Sequence, residues 1–406
     1  MHTISCLQRL VVAVLFGLLL GSGSAQAQQT VRIGAPLELT GKFVTYGSQA
    51  KRSLEMVVDA FGGTVAGKRI EIVFRDTQST SQGATSAMTD LIEKEKINFI
   101  IGPVSSPNVS VAVPVWRQSK PVWVVPGATS LSFEQAIAGE QMVFHTVAWG
   151  DQYHVGVSKM LAAVLGKGKK VAMIYTDGGY GRSNLADARK HYADAGFEIG
   201  ATEMVRENAT DMNPALQKIK LTKPDVLLAL MQTTDGIVVA KQIQVAKMGI
   251  PYLVGTAAPQ WASFAEAVGE EAANGWIGAA PWLPGQALPA DSNYPKIFPA
   301  TKDWEAALRK KLNTEPEAVD ALFFASGGML LTAIERAGGT DDKERVAKEL
   351  RNLEVQTVMG RSKFGPSAGG AVNQTFNELV VFQRQGGKMV ILAPKDRVQG
   401  QLKPLQ

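Results

Sequence analysis

Cysteine is almost missing from this sequence: Cys6 is the only one, and it precedes the apolar run at residues 10–20. That excludes a disulfide framework and a thiolate metal site in the rest of the chain. It also excludes a lipid-bearing cysteine, which would follow such a run. Histidine is scarce too. Beyond the first residues only His145, His154 and His191 occur, with no H-E-x-x-H or comparable zinc spacing. No G-x-S-x-G nucleophile elbow is present. The net charge is +5 with both signs mixed along the chain, and no basic stripe is interleaved with aromatics, so nucleic-acid binding is not expected. The densest basic cluster, KGKK at 167–170, reads as a solvated turn. Long apolar runs are absent after residue 20. Residues 10–20 are themselves too short for a membrane span. With Arg9 before them and Ala25-Gln26-Ala27 after, residues 1–27 read as a secretory leader cleaved after Ala27. The exported remainder, without disulfides, needs a large core. Its length points to two domains.

Short β-branched runs alternate with amphipathic stretches. VRIGAPL (31–37), RIEIVFRD (69–76), NFIIGPV (98–104) and PVWVVPG (121–127) read as strands. Their near-continuous apolar character predicts a parallel sheet covered on both faces. The pattern repeats in KKVAMIYTD (169–177), FEIGATEMV (197–205), DVLLALMQ (225–232) and YLVGTA (252–257), with helices predicted over 151–165, 182–195 and 235–248. The alternation predicts right-handed βαβ units and an α/β fold of two doubly wound lobes. After Gly275 the composition turns to Pro, Gly and Ala, then to helices near 298–312, 317–337 and 341–352. A terminal hairpin turns at Gly386-Gly387.

Several motifs invite chemistry. GGTVAGKR (62–69) nearly matches a phosphate loop, but Arg69 stands where the Mg²⁺-binding hydroxyl belongs, and a helix precedes it while a strand follows. It reads as a helix-to-strand turn. The sequons at Asn108, Asn208 and Asn373 read as chance matches. In GPVSSPNVS (102–110), Pro107 suits the first helical position, which makes Ser106 the natural N-cap. Helix N-termini also collect anions, and ligands of open parallel sheets sit beyond the carboxyl ends of strands. The pair Ser105-Ser106 lies at such an end, and so does PGATS (126–130) with Thr129. Hydroxyls and amides at two adjacent strand ends describe a carboxylate socket. Neither loop offers the base a nucleophile would need.

The ordered set VRIGAPLELTGKFVTYG, GGTVAGKRIEIVFRDTQ, FIIGPVSS, PVWVVPGATS, YTDGGYG and PDVLLAL resembles the type I periplasmic solute-binding proteins, specifically the Leu/Ile/Val-binding family of ABC importers. The resemblance spans about residues 30–395. It implies two α/β lobes joined by three crossover strands, one at 28–147 plus 281–356 and the other at 148–280 plus 357–406. It implies a ligand held between lobes that close on it, a monomer, no cofactor, and an ABC permease as partner. By resemblance, Ser106 and Thr129 hold the ligand carboxylate and the Gly127 carbonyl faces the ligand. Tyr46 stands at the cleft wall, and Tyr180 is the grip of the second lobe.

One departure from the family pattern matters. Amino-acid binders carry an acidic residue after the strand matching YLVG, to pair the ligand ammonium. Here the loop reads GTAAPQW, with Ala257 near the expected carboxylate and no Asp or Glu before Glu266. Burying an ammonium without a counter-charge costs several kcal/mol. Either Asp235, Asp151 or Glu38 takes that role, or the ligand has no amine. Trp149, Trp282 and Trp261 fall where they could face the cleft and stack on a ring. The expected ligand is a carboxylate, an aromatic or other organic acid, with a branched-chain or aromatic amino acid close behind. A sensory ligand-binding subunit and a secreted enzyme with an unrecognised site are the alternatives.

Overall fold

The computed structural model describes residues 29–376 and 378–405. The expected leader, its cleavage after Ala27 and Cys6 lie outside these residues. The first lobe is built on β1 (Thr30–Leu37), β2 (Thr64–Val65), β3 (Lys68–Asp76), β4 (Phe99–Ile101), β5 (Val122–Val125) and β6 (Val143–His145). The second is built on β7 (Lys170–Thr176), β8 (Glu198–Val205), β9 (Val226–Leu230), β10 (Tyr252–Gly255) and β11 (Trp276–Ala280). A hairpin, β12 (Glu354–Thr357) with β13 (Gly360–Lys363), precedes β14 (Asn373–Gln374), which joins the first sheet. A second hairpin, β15 (Val380–Gln385) with β16 (Lys388–Ala393), completes the second sheet.

The strand orders are 14-6-5-4-1-3-2 and 16-15-11-10-9-7-8. In the first sheet β1 lies between β3 and β4, and in the second β7 lies between β8 and β9, so later strands are added on opposite sides of the first one. This is the reversal of winding that opens a crevice at the carboxyl ends of an α/β sheet. Strands β4 and β5 are buried at every position. That accounts for their unbroken apolar runs, because helices cover both faces.

The chain passes between the sheets three times, as expected. The third passage differs from expectation. Val355, Val358, Met359, Ala371 and Phe376 pack into the core of the first lobe. The return to the second lobe therefore follows Phe376 and not residue 356. The predicted turn at 62–69 is a tight β2–β3 hairpin with Ala66 and Gly67 at positive φ. The end hairpin turns at Gly386-Gly387. Asn108 and Asn373 are buried and hydrogen-bonded inside the first lobe, which makes both poor acceptors for a sugar.

Helix Ala318–Arg336 is apolar on all sides and long enough to cross a membrane, but 94% of it is buried. It is the central helix of the first lobe. A Cβ on Gly327 would stand 3.0 Å from Leu54 Cδ2, so the glycine sets how closely this helix meets helix Val44–Ala60. The same two helices are pinned by Arg52, whose guanidinium donates to both oxygens of the buried Asp320 (2.6 and 2.5 Å). Helix Val44–Ala60 is equally tight against the loop after β1. A Cβ at Gly47 would fall 2.1 Å from the Glu38 carbonyl oxygen. We expect Gly47→Ala to lower stability by about 1–3 kcal/mol through forced backbone displacement, read from the urea midpoint.

Candidate functional site

The loops that follow β4 and β5 touch. Ala128 N donates to Val104 O at 2.8 Å, and a Cβ on Gly127 would lie 2.1 Å from that oxygen. Glycine is therefore required at 127 by close backbone approach. Ala128 holds φ 61°, a left-handed conformation that costs a non-glycine residue free energy. Thr129 and Ser106 are half-buried at the mouth of these loops. Among the described residues neither hydroxyl has a hydrogen-bond partner. Two adjacent strand ends thus each carry a half-buried hydroxyl with no partner among the described residues.

Other expectations for these loops are corrected by the structure. The helix begins at Ser106, not Pro107, so Ser105 holds the N-cap position, and its side chain makes no capping bond. Both its amide and its hydroxyl donate to Glu38 Oε1, at 2.9 and 2.7 Å. Ser105 is therefore engaged inside the lobe and not offered to a ligand. The Gly127 carbonyl does not face the ligand side. It accepts from His145 Nε2 at 3.0 Å, and the Ala128 carbonyl lies 3.2 Å from the same nitrogen. Trp149 is 4% exposed and stacks on the His145 ring at 3.6 Å. It packs in the first-lobe core, and so does Trp282, edge-on to Trp304 at 5.4 Å. Neither indole lines a cleft. Core packing outweighed exposure because each crossover must be sealed from water where the lobes join.

The second lobe supplies Tyr180 at the start of helix Gly179–Asp194, with its hydroxyl against Thr256 after β10. Burial raises the Tyr180 phenol, and burial pushes Tyr46 up to about 12, with Tyr180, Glu317 and Glu38 nearby adding to the effect. Tyr153 is raised by burial beside Tyr180 and Tyr46. The three tyrosines therefore form one cluster that spans both lobes. Trp261 crosses from the second lobe, packs on the first-lobe core and meets Tyr46 at 5.4 Å with a 38° tilt. Its loop is fixed from behind: the buried Arg384 guanidinium donates to Pro259 O at 2.7 Å and Trp261 O at 2.6 Å. Tyr153 and Arg384 escaped the sequence reading because each sits on a regular element with no motif around it, and Glu317 because it sits at the N-cap of helix Ala318–Arg336, where a carboxylate reads as a cap alone.

Each acidic candidate already has a hydrogen-bond partner within the protein. Asp235 is 2% exposed and accepts from Asn208 N at 2.9 Å, which holds a loop of its own lobe. Burial raises its carboxyl, with Glu207 and Asp177 adding repulsion. Asp151 accepts from Gln152 and faces Asp187. Glu38 takes four donors. Glu317 takes Gln49 Nε2 and the Ala262 amide, and burial raises it. Ala257 is buried and brings only a methyl group.

Two winding-reversal crevices, a hydroxyl pair on one lobe and a tyrosine on the other define a clamshell receptor for a small solute. The comparisons agree. The model of the periplasmic binding protein family matches residues 30–387, and the chain belongs to that family. It is 28% identical over 94% of its length to the Leu/Ile/Val-binding protein homolog 3 of Brucella melitensis, covering 98% of that protein. Among solved structures, it is similar in fold to the branched-chain amino acid transporter substrate-binding protein of Streptococcus pneumoniae in complex with isoleucine (TM-score 0.75, 22% identity, 89% of this chain and 98% of that one). It is also similar to an ABC transporter solute-binding protein of R. palustris in complex with benzoate (TM-score 0.72, 20% identity, 92% and 99%).

Burial pushes both His145 and His154 down to about 4. Their folded values lie below the unfolded value near 6.5, so the unfolded chain binds more protons between the two. Stability should then fall as pH drops from about 6.5 toward 4, by roughly 2 kcal/mol per histidine at pH 5. The raised carboxyls of Asp235 and Glu317 act in the opposite sense. Urea midpoints of the ligand-free protein at pH 7 and pH 5 check this, and His154→Gln should shrink the difference.

Proposed function

We propose that the protein captures a small carboxylate lacking an amine, an aromatic or other organic acid, between its lobes and delivers it to the permease of an ABC importer. It acts in the periplasm, as a monomer, and turns nothing over. The reading is carried by one observation: the hydroxyls of Ser106 and Thr129 are unengaged, while Glu38, Asp235 and Glu317 are each hydrogen-bonded within the protein. A carboxylate finds donors there, a ring finds Tyr46, Tyr180 and Trp261, and an ammonium finds no counter-charge. The relative bound to benzoate supports the same choice. A branched-chain amino acid is the second reading, favoured by the Leu/Ile/Val-binding relative and by the neighbour bound to isoleucine. A sensory subunit would use the same site, and pull-down of a permease against a sensor kinase separates the two.

A thermal-shift screen of aromatic acids, aliphatic acids and branched-chain amino acids tests the ligand class, since a ligand that binds only the folded state raises the midpoint. Aromatic acids should raise it most. A response confined to amino acids would overturn the amine-free reading. For the acid with the largest shift, Ser106→Ala should weaken binding by about 1–3 kcal/mol, the loss of a hydrogen bond to a charged group. Unchanged affinity in calorimetry would remove Ser106 from the site.

A further inference from the structure

Three hydrogen-bond acceptors converge on one buried ring. His145 Nε2 lies 3.0 Å from Gly127 O and 3.2 Å from Ala128 O, and Nδ1 lies 2.5 Å from Gln374 Oε1. Turning the Gln374 amide over would not help, because its nitrogen already donates to Val147 O at 2.6 Å and Thr375 O at 2.8 Å. A neutral imidazole has one N–H and serves one side only. The other nitrogen then sets a lone pair against an oxygen at hydrogen-bond distance. Only the imidazolium donates on both sides. Trp149, stacked at 3.6 Å and 8°, also favours a cation on that face.

Burial opposes the charge. His145 is 0% exposed, and desolvation pushes it down to about 4 against the upward pull of its bonds to Gln374, Ala128 and Gly127. Among the described residues no charged side chain faces the ring from the elements packed on it. Its neighbours are Trp149, Phe133, Gln374 and the two carbonyls. Glu134, on the same helix as Phe133, is turned toward Ser367 and Gly369. The ring has donors to give on both sides and no counter-ion.

The loop shows where a counter-ion would sit. The Ala128 carbonyl and the Thr129 N–H belong to one planar trans peptide and point opposite ways. The carbonyl points at His145. The N–H therefore points away from it, and among the described residues it has no hydrogen-bond acceptor. Donation from His145 polarises that peptide and strengthens its N–H. We propose that His145 is a proton-linked positioning residue: a carboxylate seated on the outer face of residues 127–129 draws a proton onto His145, whose charge holds the carboxylate through the Ala128–Thr129 peptide. This rests on the carboxylate-binding reading given above.

The sign follows from linkage. The anion raises the ring's affinity for a proton, so binding takes up a proton, and affinity rises as pH falls through the bound-state value, at most tenfold per pH unit for one proton. Calorimetry with benzoate and with L-leucine, between about pH 7.5 and pH 5.5 where both carboxylates stay ionised, compares the native protein with His145→Gln and His145→Arg. Native affinity should rise by about three- to tenfold per unit over part of that range. Gln can still donate to the carbonyls but carries no charge, and its profile should be flat and weak. Arg carries a permanent charge, and its profile should be flat at the level the native protein reaches in acid. Heats measured in two buffers of different ionisation enthalpy should show proton uptake in the native protein and none in His145→Gln. A flat native profile, or a slope that survives His145→Gln, overturns the proposal. If neither probe binds at any pH, the carboxylate-binding reading fails and the proton linkage falls with it; a probe that binds without the slope condemns the linkage alone.

Discussion

The site depends on a carboxylate that belongs to the protein. Glu38 is 0% exposed and accepts from Val104 N (3.2 Å), Ser105 N (2.9 Å), Ser105 Oγ (2.7 Å) and Asn108 Nδ2 (3.2 Å). A carboxylate this deep is tolerated because the two N–H groups just before the helix that starts at Ser106 donate to it and the positive end of that helix lies beside it. Asn108 also donates to Thr77 at 3.0 Å, which brings the loop after β3 into the same network. Three strand ends, β1, β3 and β4, are thereby tied at the point where the winding of the sheet reverses. Loss of the carboxylate would leave four buried donors without an acceptor, each a penalty of about 1–3 kcal/mol. The ties explain why Ser105 points inward, while Ser106, one residue on, is left without a partner among the described residues.

The contacts across the lobes are of a different kind. Tyr46 against Trp261, and the Glu317 carboxylate against the Ala262 amide, join the two halves directly. Each breaks when the halves part, so each contributes to the balance between open and closed states. A ligand shifts that balance only by its difference in affinity for the two. Arg384 matters here although it lies away from the cleft, because it fixes the backbone that presents Trp261. In the family pattern a carboxylate follows the strand matching β10. Here that short loop carries an aromatic contact to the opposite lobe instead.

How far the sequence revealed this differs from element to element. The alternation of apolar runs located β1, β3 to β5 and β7 to β10, because a buried parallel strand leaves a dense local pattern, but not β11, whose WIGAA opens a stretch that read as a crossing and a loop. That residues 62–69 form a turn was legible from the order of the flanking elements; the two-residue strand β2 within it was not. The return of residues 354–376 to the first lobe was not, since β14 is two residues long and its partner, β6, lies far away in sequence. The position of Ser106 and Thr129 just beyond strand ends was legible from the apolar runs before them. Ser105 and the Gly127 carbonyl were misassigned for one reason: each has a buried partner, Glu38 or His145, from a distant stretch of chain. Local spacing gives no sign of which carbonyl or hydroxyl such a partner will take.

That same pairing sets the charge balance of the site. The loops after β4 and β5 present donors outward while holding one anion, Glu38, within. A second anion arriving at Ser106 and Thr129 is repelled by the first, and it shares the helix end with it. Compensation has to come from the other loop. Of the side chains packed behind residues 127–129, His145 alone can become positive, and the carbonyls of Gly127 and Ala128 already converge on it. An amine on the ligand would not relieve this balance in the second lobe, because Ala257 offers it nothing and Asp235 is held by Asn208. On the proposed carboxylate reading, the ligand chemistry is constrained from both sides by groups that never touch it: a buried carboxylate beside the first helix end, and a loop after β10 that brings no carboxylate for an ammonium.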